Sequence, residues 1–361
     1  MLNTNLKHSG DFKGENFYIG LDVHKNTWSV TVRTSNFEIA HFSQPPQPKA
    51  LFSYLQKRFP CGSFHSAYEA GFCGTSAHTE LCRLGIDNMI VHAADIPNTD
   101  KEKKNKTDLH DSRAIAKYLE KGLLNPIHVL TNEQQELRSL YRLREIEVRN
   151  TTRAVNRLKG FIYFTGIKVP EEFSDQKGFT IKKLLWLKKL ELSTPVGTTC
   201  LQQYIQDYKD QRSKVNLVTR QLRKYVIQIF ADAYRNLVSI PGIGSIVAIA
   251  LLTEIGDFRR FDNPKEYCSY LGMIPWEQST GDQVKTKGSQ PRCNKHLRPM
   301  LVEAAWMAIR KDSGLLLYYK RHAASNNKHA IMKVARKLAL MAKGVVIKNQ
   351  PYDPEYLLKN K

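Results

Sequence analysis

Apolar and polar residues alternate near the start of the chain in a way that predicts a β-hairpin. Residues 18–30 read YIGLDVHKNTWSV, and their apolar positions suit two strands that turn at His24-Lys25-Asn26. Asp22 interrupts the apolar pattern in the middle of the first strand. A carboxylate is costly to desolvate unless it is hydrogen-bonded, paired or bound to a metal, so Asp22 is the first candidate functional residue.

The pattern after this hairpin predicts an α/β domain with a mixed sheet. A third strand (NFEIAHF) is followed by a helix near 48–58, a strand (SFHSAYEAG), a helix (GTSAHTELCRLG) and another strand (IDNMIVHAA). A basic loop, NTDKEKKNKT, then precedes the helix DLHDSRAIAKYLEKG. We therefore expect residues 1–130 to form one α/β domain.

From residue 131 the pattern becomes that of long helices. Apolar residues recur at roughly heptad spacing between Leu137 and Leu158, and a second helical stretch covers about 204–231. Over residues 131–235 this predicts an antiparallel coiled-coil arm that joins subunits, with an ordinary helical bundle as the equal alternative.

A third predicted domain, residues 236–361, opens with a glycine-containing turn between two helical patterns. The stretch IPGIGSIVAIALLTEIGDF places Gly242 and Gly244 in that turn. Glycines let the backbone turn tightly and bring N–H groups to the start of the next helix, where they can bind a phosphate. The stretch predicts a helix-hairpin-helix that contacts the DNA backbone, and a plain turn between helices is the alternative.

The charge of the chain points to a polyanionic partner. Fifty-five Lys and Arg residues against 34 Asp and Glu give a net charge of +21. Residues 284–349 hold 15 of these basic residues and only two acidic ones. An excess this localised favours nucleic acid, and it disfavours an anionic membrane because the basic residues do not line one face of an amphipathic helix. The candidate phosphate contacts in this stretch are Lys285, Lys287, Arg292, Lys295 and Arg298.

Other features of the composition predict a cytoplasmic protein. The chain has no apolar stretch of 18 residues, and its first residues are polar without a signal-peptide core. The six cysteines are scattered without a CxxC pair, which suits reduced thiols better than zinc ligands or disulfides.

Three further acids complete a candidate metal site with Asp22. Glu69 ends a predicted strand, and Asp108 and Asp111 open the helix that follows, three residues apart and so on one face. Each has an ordinary alternative: Asp108 as a helix cap, Asp111 as an acid favoured by the helix dipole, and Glu69 as an exposed strand end. Together the four carboxylates suit two Mg²⁺ ions, or Mn²⁺, that hold the attacking and leaving oxygens of a phosphodiester. Their order along the chain is that of the RNase H-like (RuvC-like) nuclease fold.

Several motifs resemble one group of bacterial insertion-sequence transposases, the DEDD group related to the Piv DNA invertases. They are YIGLDVHKNTW, YEAG at 68–71, KTDLHD at 106–111, IPGIGSIVAIALLTEIGDFRRF and YLGMIPWEQSTGD. The resemblance implies a RuvC-like N-terminal domain, a distinct C-terminal transposase domain and Mg²⁺-dependent recombination of donor and target double-stranded DNA. It also implies a structured guide RNA, since some members are guided by an RNA that bridges the two DNAs.

Carried onto this chain, the resemblance implies functional residues in both domains. The metal-binding acids are Asp22, Glu69, Asp108 and Asp111, and the nucleophile is Ser279 within EQSTGD. The frequent Ser-Ser-Gly of the family is Ser-Thr-Gly here, so Thr280 is the alternative nucleophile. Taken from local sequence alone, Ser279 is an ordinary turn residue. The protein is expected to act as a homodimer or homotetramer, associated with the bacterial nucleoid when it acts.

Three other functions remain open at this point. A site-specific DNA invertase of the same fold would need inverted sites, and a junction-resolving endonuclease would use the four acids with water and leave Ser279 inert. A protein that binds nucleic acid without catalysis would need neither the acids nor the serine.

Overall fold

The structure is a computed structural model of the 361-residue chain. It describes residues 12–96, 108–174, 178–280, 283–289, 292–324 and 326–354, with side chains left out at 108–110, 276–280 and 283–289. Contacts between Cα atoms divide the chain into two compact units, one ending at Val129 and one beginning at Leu130. The predicted further boundary between 235 and 236 stays a prediction.

The first unit contains a mixed sheet, as the sequence predicts, and the structure places helices on both of its faces. Its described elements are β1 (Asn16–Val23), β2 (Trp28–Thr34), β3 (Phe37–Gln44), α1 (Pro48–Arg58), β4 (Ser63–Glu69), α2 (Ser76–Arg83), β5 (Asp87–Val91) and α3 (Asp108–Glu120). The strand order is β3-β2-β1-β4-β5. Strands β1, β2 and β3 pair antiparallel, whereas β1, β4 and β5 pair parallel.

Alternation along β1 divides its side chains between the two faces of the sheet. Phe17, Ile19 and Leu21 join the core that includes Leu51 of α1 and Leu81 of α2. Tyr18, Gly20 and Asp22 therefore point to the opposite face, which α3 covers. The polar interruption noted in the sequence thus lies on the α3 face of the sheet.

Gly20 allows α3 to pack directly on β1. A Cβ added at Gly20 would lie 2.0 Å from the carbonyl oxygen of Ser112 and 2.5 Å from the amide nitrogen of Ala116. The helix backbone therefore occupies the space that any side chain at this position would need. The sequence requires glycine here because of the helix above it.

Gly20→Ala is expected to destabilise the first unit by about 1–3 kcal/mol, because α3 must move away from the sheet. Denaturant unfolding of the variant measures this loss. Gly71→Ala is the matched control, since the nearest atom to a Cβ at Gly71 is 3.8 Å away. Equal unfolding midpoints for the two variants would contradict this packing.

The second unit is mainly helical and carries one two-stranded sheet among its described residues. Its elements are α4 (Asn132–Phe164), α5 (Glu171–Ser174), α6 (Ile181–Lys188), α7 (Pro195–Val238), α8 (Ser245–Ile255), α9 (Pro264–Tyr270), β6 (Pro275–Thr280), β7 (Gln283–Ser289), α10 (Leu297–Lys311), α11 (Ser313–Ala323) and α12 (Asn327–Lys348). Strands β6 and β7 pair antiparallel.

The two long helices, α4 and α7, pack antiparallel. Arg144 donates a hydrogen bond to Thr219, and Arg157, which is later in α4, binds Asp207, which is earlier in α7. The second helix begins before the predicted residue 204, because Thr194 caps it and Pro195 fits its first turn. Near the predicted end at 231 it is kinked, with non-helical backbone angles at Phe230, and it then continues to Val238. The pairing agrees with the antiparallel arrangement predicted for 131–235, while its coiled-coil character stays a prediction.

Apolar residues of α8 form the centre of the second unit. This helix is buried from Ala248 to Ile255, and residues of α10 and α12 belong to the same core. Gly242, with φ at +89°, lies against α10, where an added Cβ would be 2.3 Å from the carbonyl oxygen of Ala304. Close packing of the turn against α10 therefore explains why residue 242 is a glycine.

Candidate active site

Asp22 and Glu69 lie at neighbouring positions on two adjacent parallel strands. The last paired residues of β1 and β4 are Leu21 and Tyr68, so Asp22 and Glu69 follow on their strands at the same level. Adjacent strands are about 4.8 Å apart, and side chains at one level point to the same face. Both side chains are half-buried. The sheet thus presents two carboxylates together at the carboxyl ends of its parallel strands.

Helix α3 brings Asp111 to the same end of the sheet. The hydroxyl of Ser112, the next residue, lies 3.2 Å from Ser29 Oγ and 2.9 Å from Thr31 Oγ1. Ser29 is the residue paired with Asp22 across β1 and β2. The start of α3 is therefore held at the level of Asp22 by a buried hydroxyl contact.

The four acids offer the right donors for a divalent cation, since Mg²⁺ and Mn²⁺ prefer carboxylate oxygens. The side chain of Asp108 lies outside the described residues. Among the side chains that are described, no group of three or more His, Cys, Asp or Glu is close enough to hold a metal ion. The convergence of all four acids therefore stays a prediction. It is supported by the position of Asp22, Glu69 and Asp111 at the same end of the sheet.

His24 is a titratable partner of Asp22. It lies in the turn between β1 and β2, where its backbone N–H donates to the carbonyl of Thr27. Its Nε2 is 3.1 Å from Asp22 Oδ2, and the Asp22 side chain is 19% exposed. The imidazole thus orients one carboxylate oxygen of Asp22.

Ser279 lies in strand β6 and not in a turn. It pairs with Val284 of β7, and Thr280 pairs with Gln283. Lys285 and Lys287 lie on the same β7 strand, and their side chains, like those of Ser279 and Thr280, are outside the described residues. A short antiparallel hairpin therefore carries both candidate nucleophiles.

The other candidate phosphate contacts lie near this hairpin in the sequence and around α8. Arg292 and Lys295 are exposed and Arg298 is half-buried. Gly244 caps the start of α8, and nothing lies within 4 Å of a Cβ added there. Of the two turn glycines, Gly244 is therefore the one whose surroundings leave room for a phosphate, whereas Gly242 faces α10.

Two family models match the chain. One, described as "Transposase IS116/IS110/IS902 family", matches residues 234–320. The other, a DEDD-type transposase model of the IS110 group, matches residues 19–165. The matched segments follow one another along the chain and cover about two thirds of it. The chain belongs to the IS110/IS116 family of DEDD transposases.

This transposase is also similar to curated proteins. The putative transposase y4qE of Sinorhizobium fredii is 25% identical over 293 residues, which span 80% of this chain and 71% of that protein. The transposase for IS1533 of Leptospira borgpetersenii is 25% identical over 300 residues, or 80% of this chain and 84% of that one. The transposase for IS1328 of Yersinia enterocolitica is 27% identical over 203 residues, or 56% and 59%. The chain is a DNA recombination enzyme.

One buried carboxylate of the transposase, Glu254, was not predicted from the sequence. Glu254, in α8, is fully buried and receives two hydrogen bonds from Arg142 of α4, at 2.8 and 2.9 Å. Asn294 Nδ2 donates a third, at 2.9 Å. Burial alone would raise the pKa of Glu254, but the bonds from Arg142 and Asn294 outweigh it and lower that pKa. An acid within the apolar run SIVAIALLTEI was the available signal.

No helix among the described residues combines the length and the apolar character that crossing a membrane requires.

Proposed function

We propose that the transposase cuts and rejoins DNA by divalent-metal-dependent phosphoryl transfer, with Ser279 as the nucleophile. The observation that carries the proposal is the pair Asp22 and Glu69, which follow the last paired residues of two adjacent parallel strands, under the helix that carries Asp111. Together with Asp108, these acids would hold Mg²⁺ or Mn²⁺. When bound, the ions neutralise charge on the attacked phosphate and on the leaving oxygen.

The serine gives the reaction its reversibility. Ser279 Oγ loses its proton and forms a bond to phosphorus, while the bond from phosphorus to one deoxyribose oxygen breaks and that oxygen takes up a proton. The phosphoserine link retains the energy of the phosphodiester, so a DNA hydroxyl can attack it and reseal a strand. Water in place of the serine would cut irreversibly, which distinguishes a recombinase from a nuclease.

Charge and exposed apolar surface support the proposed partners. The excess of basic residues in 284–349 suits donor and target DNA and a structured guide RNA, whose backbones carry the same charge. Large apolar side chains are exposed on the helices of 131–235, with Tyr163 at 90%, Phe164 at 87% and Ile181 at 75% exposure. Such exposure supports assembly of a homodimer or homotetramer through this arm.

The proposal is tested by metal dependence of strand cleavage on DNA that carries the ends of the element. Chelation by EDTA is expected to abolish cleavage and retain DNA binding, and added Mg²⁺ or Mn²⁺ restores cleavage. Glu69→Gln is expected to lose cleavage, whereas Glu80→Gln, an acid of α2 paired with Arg83, retains it. Cleavage that persists in EDTA, or that is equal in the two variants, would reject a role for these acids.

A further inference from the structure

Two chain segments lie at the base of the β6–β7 hairpin, one before β6 and one after β7, and we call them its feet. Hydrogen bonds join these two segments. Tyr270 lies five residues before β6, and Asn294 lies five residues after β7. The backbone N–H of Asn294 donates to the carbonyl of Tyr270 at 2.7 Å, and Asn294 Nδ2 lies 3.0 Å from the Tyr270 hydroxyl. The chain that enters the hairpin is therefore bonded to the chain that leaves it.

Close packing reinforces this junction. Gly272, with φ at +68°, lies so near Cys293 that an added Cβ would be 2.7 Å from the Cys293 Sγ atom. The amide of Gly272 donates to the carbonyl of Ser269, which fixes the turn at the end of α9. The chain before β6 and the chain after β7 are therefore packed too closely to shift easily relative to each other.

An ion pair between buried Glu254 and the partly exposed Arg142 connects the junction to the helical core. Asn294 Nδ2 donates to Glu254, whose carboxylate is bound by Arg142. The Tyr270 hydroxyl donates to the backbone carbonyl of Glu254 at 2.8 Å. We call Arg142, Glu254, Tyr270 and Asn294 the hairpin clamp, because they tie both feet to α4 and α8. Because the Glu254 carboxylate is buried, loss of any of its hydrogen bonds would leave a desolvated polar group without a partner. The partners of Glu254 are therefore held in fixed positions.

We propose that the hairpin clamp is a positioning device that fixes where the hairpin leaves the helical core and so where Ser279 lies. The inference rests on the proposed role of Ser279 and goes beyond it by assigning functions to four residues that do not react. The backbone pairing of Ser279 with Val284 makes the hairpin one body, so a shift at its feet moves the serine. Misplacement of a reacting group by about 1 Å can slow a reaction about 100-fold.

Asn294→Asp tests the clamp because it changes one part of it. The substituted side chain keeps an oxygen for the amides of His296 and Leu297, which Asn294 Oδ1 accepts at the start of α10. It loses the Nδ2 donor and sets a second carboxylate beside Glu254. In single-turnover reactions of the full chain, we expect formation of the covalent DNA adduct to slow about 100-fold. The Kd for the same DNA is expected to stay within about twofold.

Tyr270→Phe and Asn326→Asp complete the design. Tyr270→Phe removes the hydroxyl that joins Asn294 to Glu254 and is expected to slow adduct formation about tenfold. Asn326→Asp makes the same chemical change at the exposed cap of α12 and is expected to react at the wild-type rate. Hydrogen exchange of segments 270–275 and 292–297 is expected to be faster in both clamp variants and unchanged in the control.

Three results would overturn the inference. They are wild-type rates in both clamp variants, unchanged exchange at the hairpin feet, and losses of DNA binding and of rate in equal proportion. Failure of the proposed function gives a different pattern. In that case Ser279→Ala would still form the adduct, whatever the clamp variants do.

Discussion

Asp22→Asn is expected to abolish metal-dependent strand cleavage while DNA binding remains. The substitution is nearly isosteric and keeps one oxygen for His24, which lies 3.1 Å from Asp22 Oδ2, but it removes the negative charge that would bind the cation. Bound ions supply several kcal/mol of stabilisation to such a transition state. Because each 1.4 kcal/mol corresponds to about a tenfold change in rate, we expect the cleavage rate to fall about 10³-fold.

Asp87→Asn is the matched control for this variant. Asp87 is also an aspartate of the same sheet with a histidine partner, since its Oδ2 lies 2.9 Å from Nδ1 of His65. It begins β5, at the opposite end of the parallel strands from Asp22. Asp87→Asn is expected to cleave at the wild-type rate. Wild-type cleavage by Asp22→Asn would show that the strand acid takes no part in the reaction and would favour a protein that only binds nucleic acid.

Ser279→Ala is expected to eliminate the covalent protein–DNA adduct. Without Oγ no bond to phosphorus can form at this position, so the adduct trapped by denaturation of a wild-type reaction should be absent. Thr280→Ala is the neighbouring control and is expected to retain it, because Thr280 is one position further along the same strand, where it pairs with Gln283.

The adduct experiment also separates the rival functions. If Ser279→Ala still cuts in Mg²⁺ and no adduct forms in the wild type, water is the nucleophile and the protein acts as a junction-resolving endonuclease. If Thr280→Ala alone loses the adduct, Thr280 is the nucleophile. An invertase would form the same adduct but would require inverted sites on one DNA molecule.

The fold of the first unit could be predicted closely because short sequence patterns specify its strands and helices. Alternating apolar residues mark each strand, and Asp22 is conspicuous since it breaks such an alternation. The mixed sheet and the bounds of β1, β2 and α1 agree with the sequence patterns. The importance of Gly20 could not be predicted, because it depends on the backbone of α3, which lies more than 90 residues away in the sequence.

The second unit was harder to predict where polar residues form its structure. Ser-Thr-Gly-Asp has the composition of a loop, yet Ser279 and Thr280 belong to a strand that pairs with β7. The role of Glu254 was not predicted, because its partners Arg142 and Asn294 are 112 and 40 residues away in the sequence. Long-range ion pairs leave little local signal.

The proposed function depends above all on binding of a divalent cation by acids from two strands and one helix at one end of the sheet. Electron paramagnetic resonance of Mn²⁺, titrated into the full chain with an uncleavable DNA duplex, measures this binding directly. We expect bound Mn²⁺ in the wild type and in Asp87→Asn, with binding greatly weakened in Asp22→Asn and Asp111→Asn. Equal Mn²⁺ affinity in all four proteins would show that these acids do not bind the cation.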